Sequence, residues 1–243
     1  MAGPGVPPGL AAHAAVTRAS HLRQLGGHAA ARGLDAYALR RAGTAPPEPA
    51  LEADGADPPA ARADALVGLA ADAVGLGEPE LAERLLAAAA AQAHPSWRCR
   101  VRVGWVQAEL ALARGRPAEA VEPARLAFAA ARRAGSLRHV VKSGIVLAVA
   151  RAAADPAAAP EAVTELDRAA ATAESCGLLP LLWPARLAAA DLLAAGAGAT
   201  PGDTPNGAST RRRAAITAMR VIHRRSDPIG RRLIGESRWF GAT

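Results

Sequence analysis

Residues 118–137 read AEAVEPARLAFAAARRAGSL and residues 160–179 read PEAVTELDRAAATAESCGLL; the two align without a gap, 42 positions apart. A second pair runs GEPELAERLLAAAA from Gly77 against GRPAEAVEPARLAF from Gly115, 38 positions apart. Self-similarity at roughly 35–45 residues, with a helical pair in each unit, is the mark of a stack of helical repeats. Alanine makes up roughly a quarter of the chain, while valine, isoleucine and threonine are sparse. Alanine is the best helix former, so an all-α fold is expected. Only 7 of the 243 residues are aromatic, which implies a thin core of helices in close approach.

Two stretches break the helical pattern: GTAPPEPALEADGADPP at 43–59 and GAGATPGDTPNGAS at 196–209. Both are rich in Pro, Gly and small polar residues and read as a loop and a flexible linker. They divide the chain into residues 1–9, expected to be disordered, a helical pair over 10–42, a helical block over 60–195 and a tail over 210–243. Within the block, Gly115-Arg116-Pro117 and Asp155-Pro156 end one helix and begin another, while Gly135 and Gly177 are placed as C-terminal caps. Residues 178–195 are expected to close the end of the stack as a capping helix, with Trp183 and Leu192 as covering residues.

The small residues fall in a recurrent order: Ala70, Gly77, Ala82 and Ala89; then Ala108, Gly115, Ala120 and Ala127; then Ala150, Ala157, Ala162 and Ala169. Residues 20–43 fit as well, with Ala19 just before them, through Gly26, Ala31 and Ala38. This pattern resembles the tetratricopeptide repeat family, in which small residues mark helix contacts and a glycine marks the turn. The chain departs from the family by carrying Ala73, Ala111 and Ala153 where a tyrosine is usual, and by unit spacings of 51, 38 and 42. The resemblance implies about four helical pairs in a solenoid whose first helices line a groove. It puts Arg102, Trp105 and Glu109 in that groove from one unit, Arg151 from the next and Arg23 from the N-terminal one. Trp105 beside arginines can anchor a peptide, or can simply fill space between alanine-rich helices. A clamp for chaperone C-termini is disfavoured, because Asn occurs only at Asn206 and Lys only at Lys142.

No catalytic, cofactor or metal site emerges from the residues. His13, His21 and His28 have no Cys or clustered carboxylate beside them, and Cys99 and Cys176 lack metal-ligand spacing. The glycine-rich stretches lack the lysine and preceding strand of a phosphate loop. No signal peptide opens the chain, and its most apolar stretch, 178–195, is interrupted by Pro180, Pro184, Arg186 and Asp191. A cytoplasmic protein is expected, and the arginine-heavy usage with one lysine points to a GC-rich bacterial coding sequence.

The formal charge of +7 is local. Residues 1–210 hold 20 basic and 20 acidic side chains. The remainder holds Arg211, Arg212, Arg213, Arg220, Arg224, Arg225, Arg231, Arg232 and Arg238 against Asp227 and Glu236. On a helix, Ala215, Ala218, Met219 and Ile222 form an apolar stripe opposite Arg213, Arg220 and Arg224, so the segment has something apolar to cover. Ser209 or Thr210 is the expected cap, which leaves Arg211–Arg213 opposing the helix dipole. Asp227-Pro228 reads as the start of a second short helix. These features lead to a non-catalytic protein-interaction module, a regulatory adaptor that binds an acidic surface or peptide through its groove and its tail, with Trp239 and Phe240 as tail anchors. The alternatives are a nucleic-acid- or polymerase-associated regulator whose tail arginines meet phosphates and, third, an enzyme; the tail itself can also be a helix packed on its own body with its arginines facing water.

Overall fold

Proline opens most of the helices, and it does so where its missing N–H costs nothing, in the first turn. In the computed structural model, which describes residues 6–45, 57–92, 96–196 and 206–236, eleven α-helices and no strands occur among those residues. They are α1 (Pro8–Gln24), α2 (His28–Gly43), α3 (Pro58–Gly75), α4 (Pro79–Ala91), α5 (Trp97–Ala113), α6 (Pro117–Arg133), α7 (Leu137–Ala154), α8 (Ala159–Ser175), α9 (Leu179–Ala194), α10 (Gly207–Arg225) and α11 (Pro228–Glu236). The all-α expectation holds.

Glycine ends helices by one mechanism. Gly77 has φ 75°, a left-handed conformation that a side chain disfavours. Its own N–H bonds to the Val74 carbonyl at 3.1 Å, and the Glu78 N–H reaches back to Ala73 at 2.8 Å. This pair of bonds satisfies carbonyls that the helix end would leave open. Where the third unit has Ala157 in place of glycine, the turn is built differently. Asp155 is extended, its carboxylate accepts the Ala157 N–H at 2.9 Å, and a 3-10 turn over Pro156–Ala158 leads into α8. No left-handed residue is needed there.

The chain divides into two compact units, Met1–Arg114 and Gly115–Thr243. In the first, each helix from α1 to α4 packs on its successor, and α1 also meets α3, and α3 meets α5. In the second, α6 to α11 pack consecutively, and α7 meets α9. Contacts between alternate helices are what stacked helical pairs produce. The contact residues are small. Ala12, Ala15, Ala38, Ala42, Ala61 and Ala65 join α1, α2 and α3, while Ala70, Ala73, Ala82 and Ala89 join α3 and α4 with Leu66, Val67 and Leu86. In the second unit Leu166, Val163, Leu181 and Leu182 form the centre of a cluster drawn from α7, α8, α9 and α10.

Two expectations about the chain ends change. The helix at 178–195 is not a terminal cover, because α10 lies along it as its pair. Trp183 and Leu192 are only partly buried and pack against the α7–α10 cluster. Helices also begin sooner than the loop and linker boundaries imply. α1 starts at Pro8, and α3 starts at Pro58 with Asp57 accepting the Ala60 N–H at 2.7 Å. α10 starts at Gly207, with Asn206 rather than Ser209 or Thr210 at its cap position. The rest of the expected loop and linker, 46–56 and 197–205, lies outside the described residues, as do residues 1–5.

Two glycines inside helices separate the roles of space and propensity. A Cβ on Gly68 of α3 would lie 2.3 Å from a carboxylate oxygen of Asp35, whereas one on Gly33 of α2 would meet nothing within 4 Å. Gly68→Ala is expected to lower unfolding free energy by about 1–3 kcal/mol through overpacking. Gly33→Ala should raise it by about 0.5–1 kcal/mol. Urea denaturation of the two variants checks both signs.

Candidate functional site

Arg23, expected in an open groove, is instead the centre of a buried ion cluster. From the C-terminal turn of α1 its Nη1 donates to Asp35 Oδ2 at 2.7 Å, to Asp72 Oδ1 at 2.8 Å and to the Gly68 carbonyl at 3.1 Å. Both carboxylates are wholly buried, and the arginine side chain is 12% exposed. His28 Nδ1 lies 3.3 Å from Asp72 Oδ1. Glycine makes the cluster sterically possible, since a Cβ at Gly68 would strike Asp35 and one at Gly75 would strike the His28 ring. Burial pushes the Asp35 carboxyl up to about 6, against the pull of the Arg23 guanidinium, with Asp72 adding to the rise and Arg102 opposing it. Asp35 and Asp72 hold Arg23 above its ordinary value, outweighing the opposite effect of its burial.

Arg102 is also committed within the first unit. Asp64 of α3, almost fully buried, takes Arg102 Nη1 at 2.6 Å on one oxygen and Arg98 Nη2 at 2.9 Å on the other. The Cys99 thiol lies 3.9 Å from the same carboxylate, and burial, reinforced by Asp64, pushes it up to about 12. Such a thiol is not a nucleophile at neutral pH. Trp105 is 9% exposed and belongs to the core. Glu109 is half-buried. In the second unit Arg151 lies 3.5 Å from Glu165 and keeps 40% of its side-chain exposure. Of the five expected groove residues, Arg23, Arg102 and Trp105 therefore serve packing and internal ion pairing. The buried acids that receive the arginines, Asp35, Asp64 and Asp72, are missing from the sequence reading. Asp64 and Asp72 have one signal, position: with Gly68 they recur every fourth residue on the alanine-rich α3, while Asp35 is the single acid of α2.

The tail arginines divide by helical phase. Ala215, Ala218 and Met219 are buried, and Ala218 joins the α7–α9 core, so the expected apolar stripe faces the fold. Arg211 grips Asp167 of α8, with Nη2 to Oδ2 at 2.6 Å and Nε to both oxygens at 3.1 Å, and Arg186 of α9 shares that carboxylate at 2.8 Å. Arg212 reaches Asp191 of α9 at 2.6 Å. Because α10 begins at Gly207, these arginines lie beyond its first four residues, which eases the expected conflict with the helix dipole. Arg213, Arg220, Arg224 and Arg225 are exposed, and Arg213 donates to the Thr210 hydroxyl at 3.3 Å. In α11, begun by Asp227 accepting the Gly230 N–H at 2.7 Å, Arg231 donates to the Ser226 carbonyl at 2.7 Å and Arg232 lies 3.7 Å from Glu236. Trp239 and Phe240 lie outside the described residues.

Among the described residues no group of three or more His, Cys, Asp or Glu side chains is placed to hold a metal ion, and no helix is long and apolar enough to cross a membrane. Among the described residues of α10 and α11, Arg213, Arg220, Arg224, Arg225, Arg231 and Arg232 are exposed.

Two measurements distinguish the committed charges from the exposed ones. Asp35 binds its proton more tightly in the fold than in the unfolded chain, since about 6 lies above the ordinary 3.8. Its contribution is complete below about pH 4 and is lost as pH rises through about 6. Asp35→Asn is expected to remove that fall, so that urea unfolding from pH 4 to 7.5 moves the difference in the variant's favour; a constant difference would show otherwise. Arg211→Gln should cost about 1 kcal/mol in thermal unfolding, while Arg220→Gln stays within about 0.5 kcal/mol. Comparison of the chain with models of protein families, with curated proteins and with solved structures gave no match.

Proposed function

We propose that this chain is a non-catalytic interaction module built from tetratricopeptide-like helical pairs, and that the exposed arginine face of α10 and α11 is its contact surface for an anionic partner. The helical-pair reading is supported by consecutive packing with alternate-helix contacts inside each unit, and by buried Ala70, Ala82 and Ala89 around a left-handed Gly77. A regulatory adaptor in a bacterial cytoplasm is the role such helical modules commonly serve, and that step is an analogy of fold.

The observation that carries the proposal is the unequal fate of adjacent arginines. Arg211 and Arg212 are neutralised by Asp167 and Asp191, whereas no carboxylate among the described residues pairs with Arg213, Arg220, Arg224 or Arg225. Cations set close together on one exposed face repel one another, and an anion relieves that repulsion. The groove reading loses support in the first unit, where Arg23, Arg102 and Trp105 are engaged inside the fold.

Retention on immobilised heparin, a polyanion, tests the surface. The triple variant Arg213→Gln, Arg220→Gln, Arg224→Gln is expected to elute at clearly lower salt than wild type. Arg116→Gln with Arg125→Gln, two exposed arginines already paired with Glu119 and Glu122, should elute closer to wild type. Elution of the triple variant together with wild type would remove the proposal.

A further inference from the structure

The face of α10 that is turned away from the fold is a line of guanidinium groups with little else on it. At 100° per residue, Arg213, Arg220 and Arg224 fall within an arc of about 40°, and their Cα atoms span about 16 Å of helix axis. Thr217 stands between them, its hydroxyl turned to the Arg213 carbonyl at 3.0 Å. Arg225 is exposed at the end of the helix, and Arg231 and Arg232 are exposed on α11. The two acids of the tail are occupied: Asp227 caps α11, and Glu236 lies beside Arg232. We infer that this arginine line binds the phosphate backbone of double-helical nucleic acid without regard to base sequence. The inference rests on the interaction-surface reading above and gives its partner a chemistry.

Three properties of the face favour a duplex. A protein interface needs an apolar core with large anchoring side chains. The large apolar groups of α10 instead point inward or lie at its flanks, with Met219 buried and Ile216, Val221 and Ile222 half-buried. Ile229 of α11 is the one large hydrophobic exposed among the described residues of the two helices. A single strand needs aromatic rings on which bases stack, and neither helix contains Phe, Tyr or Trp. A duplex backbone needs only a row of cations: each strand presents a phosphate about every 3.4 Å of its axis, so about five phosphates fall within reach of a 16 Å row. Guanidinium suits them, because its planar fork offers two N–H donors to one phosphate. The row repeats one cation with no Asn, Gln, Asp or Glu on the helix to complete a base-reading pattern, which favours phosphate contacts and no sequence preference.

The test is fluorescence anisotropy of the full chain with a labelled mixed-sequence DNA duplex across a salt series, and in parallel with labelled polyglutamate. The expected result is duplex binding whose log affinity falls with log salt at a slope of about −3 to −4, equal for unrelated sequences. The triple variant Arg213→Gln, Arg220→Gln, Arg224→Gln should lose at least tenfold in affinity at low salt and lower the slope by about one per arginine. Its helical circular dichroism should be unchanged, since the three side chains are exposed. No duplex binding at low salt, or binding unaltered in the folded triple variant, overturns the inference. If polyglutamate binds through these arginines and the duplex does not, the partner is an acidic protein; the nucleic-acid inference falls and the interaction surface stands. If heparin retention is also insensitive to the three substitutions, both fall.

Discussion

Alanine at the helix contacts is the constraint from which much else follows. A buried methyl group lets two helix backbones approach closely, and it contributes little apolar area to hold them there. The chain compensates with number: Ala12, Ala61, Ala70, Ala82, Ala120, Ala162, Ala170 and Ala189 are all essentially inaccessible. Close approach also changes what charged groups can do. Charged side chains caught at such contacts are shut off from water, and they persist only with partners. Arg23 with Asp35 and Asp72, and Asp64 with Arg98 and Arg102, are such enclosed sets. They tie α1, α2, α3 and α5 with directed bonds where apolar area is scarce. Desolvation offsets much of the attraction inside such clusters, while removing one partner leaves an uncompensated buried charge.

The tail shows how one residue type acquires two uses. Arg211 and Arg220 share a helix and a charge, yet one lies beside α8 and α9 while the other faces outward. Beyond Arg211 and Arg212, six tail arginines lie among the described residues: Arg231 and Arg232 contact their own helical segment, and Arg213, Arg220, Arg224 and Arg225 meet no carboxylate there. The helix is thus fastened by its apolar stripe and its first arginines, and it displays the others. A charge displayed from a fixed helix is worth more to a rigid partner than the same charge on a mobile arm, since less freedom is lost on binding.

Much of this architecture is legible in the residues. The helical pairs follow from the repeat spacing, the turns from Gly77 and Gly177, the late helix from Asp227-Pro228, and the inward stripe of α10 from the spacing of Ala215, Ala218 and Met219. The role of Arg23 is not legible, because a solvated arginine and an enclosed one look alike until Asp35 and Asp72 are brought to it from 12 and 49 positions away. The pairing of α10 with α9 is hidden for a similar reason. An amphipathic stripe declares that a helix covers something, but its own fold and a separate partner offer the same apolar chemistry.

What the sequence by itself determined is local: helix formation, the places where helices stop, and which side of each helix is apolar. These depend on propensity, capping and periodicity, all of which act within a few residues. The tertiary structure alone decided which charges are spent inside and which are displayed. That depends on distances between groups remote in the chain, and Coulombic and hydrogen-bond energies are set by those distances and by the burial around them.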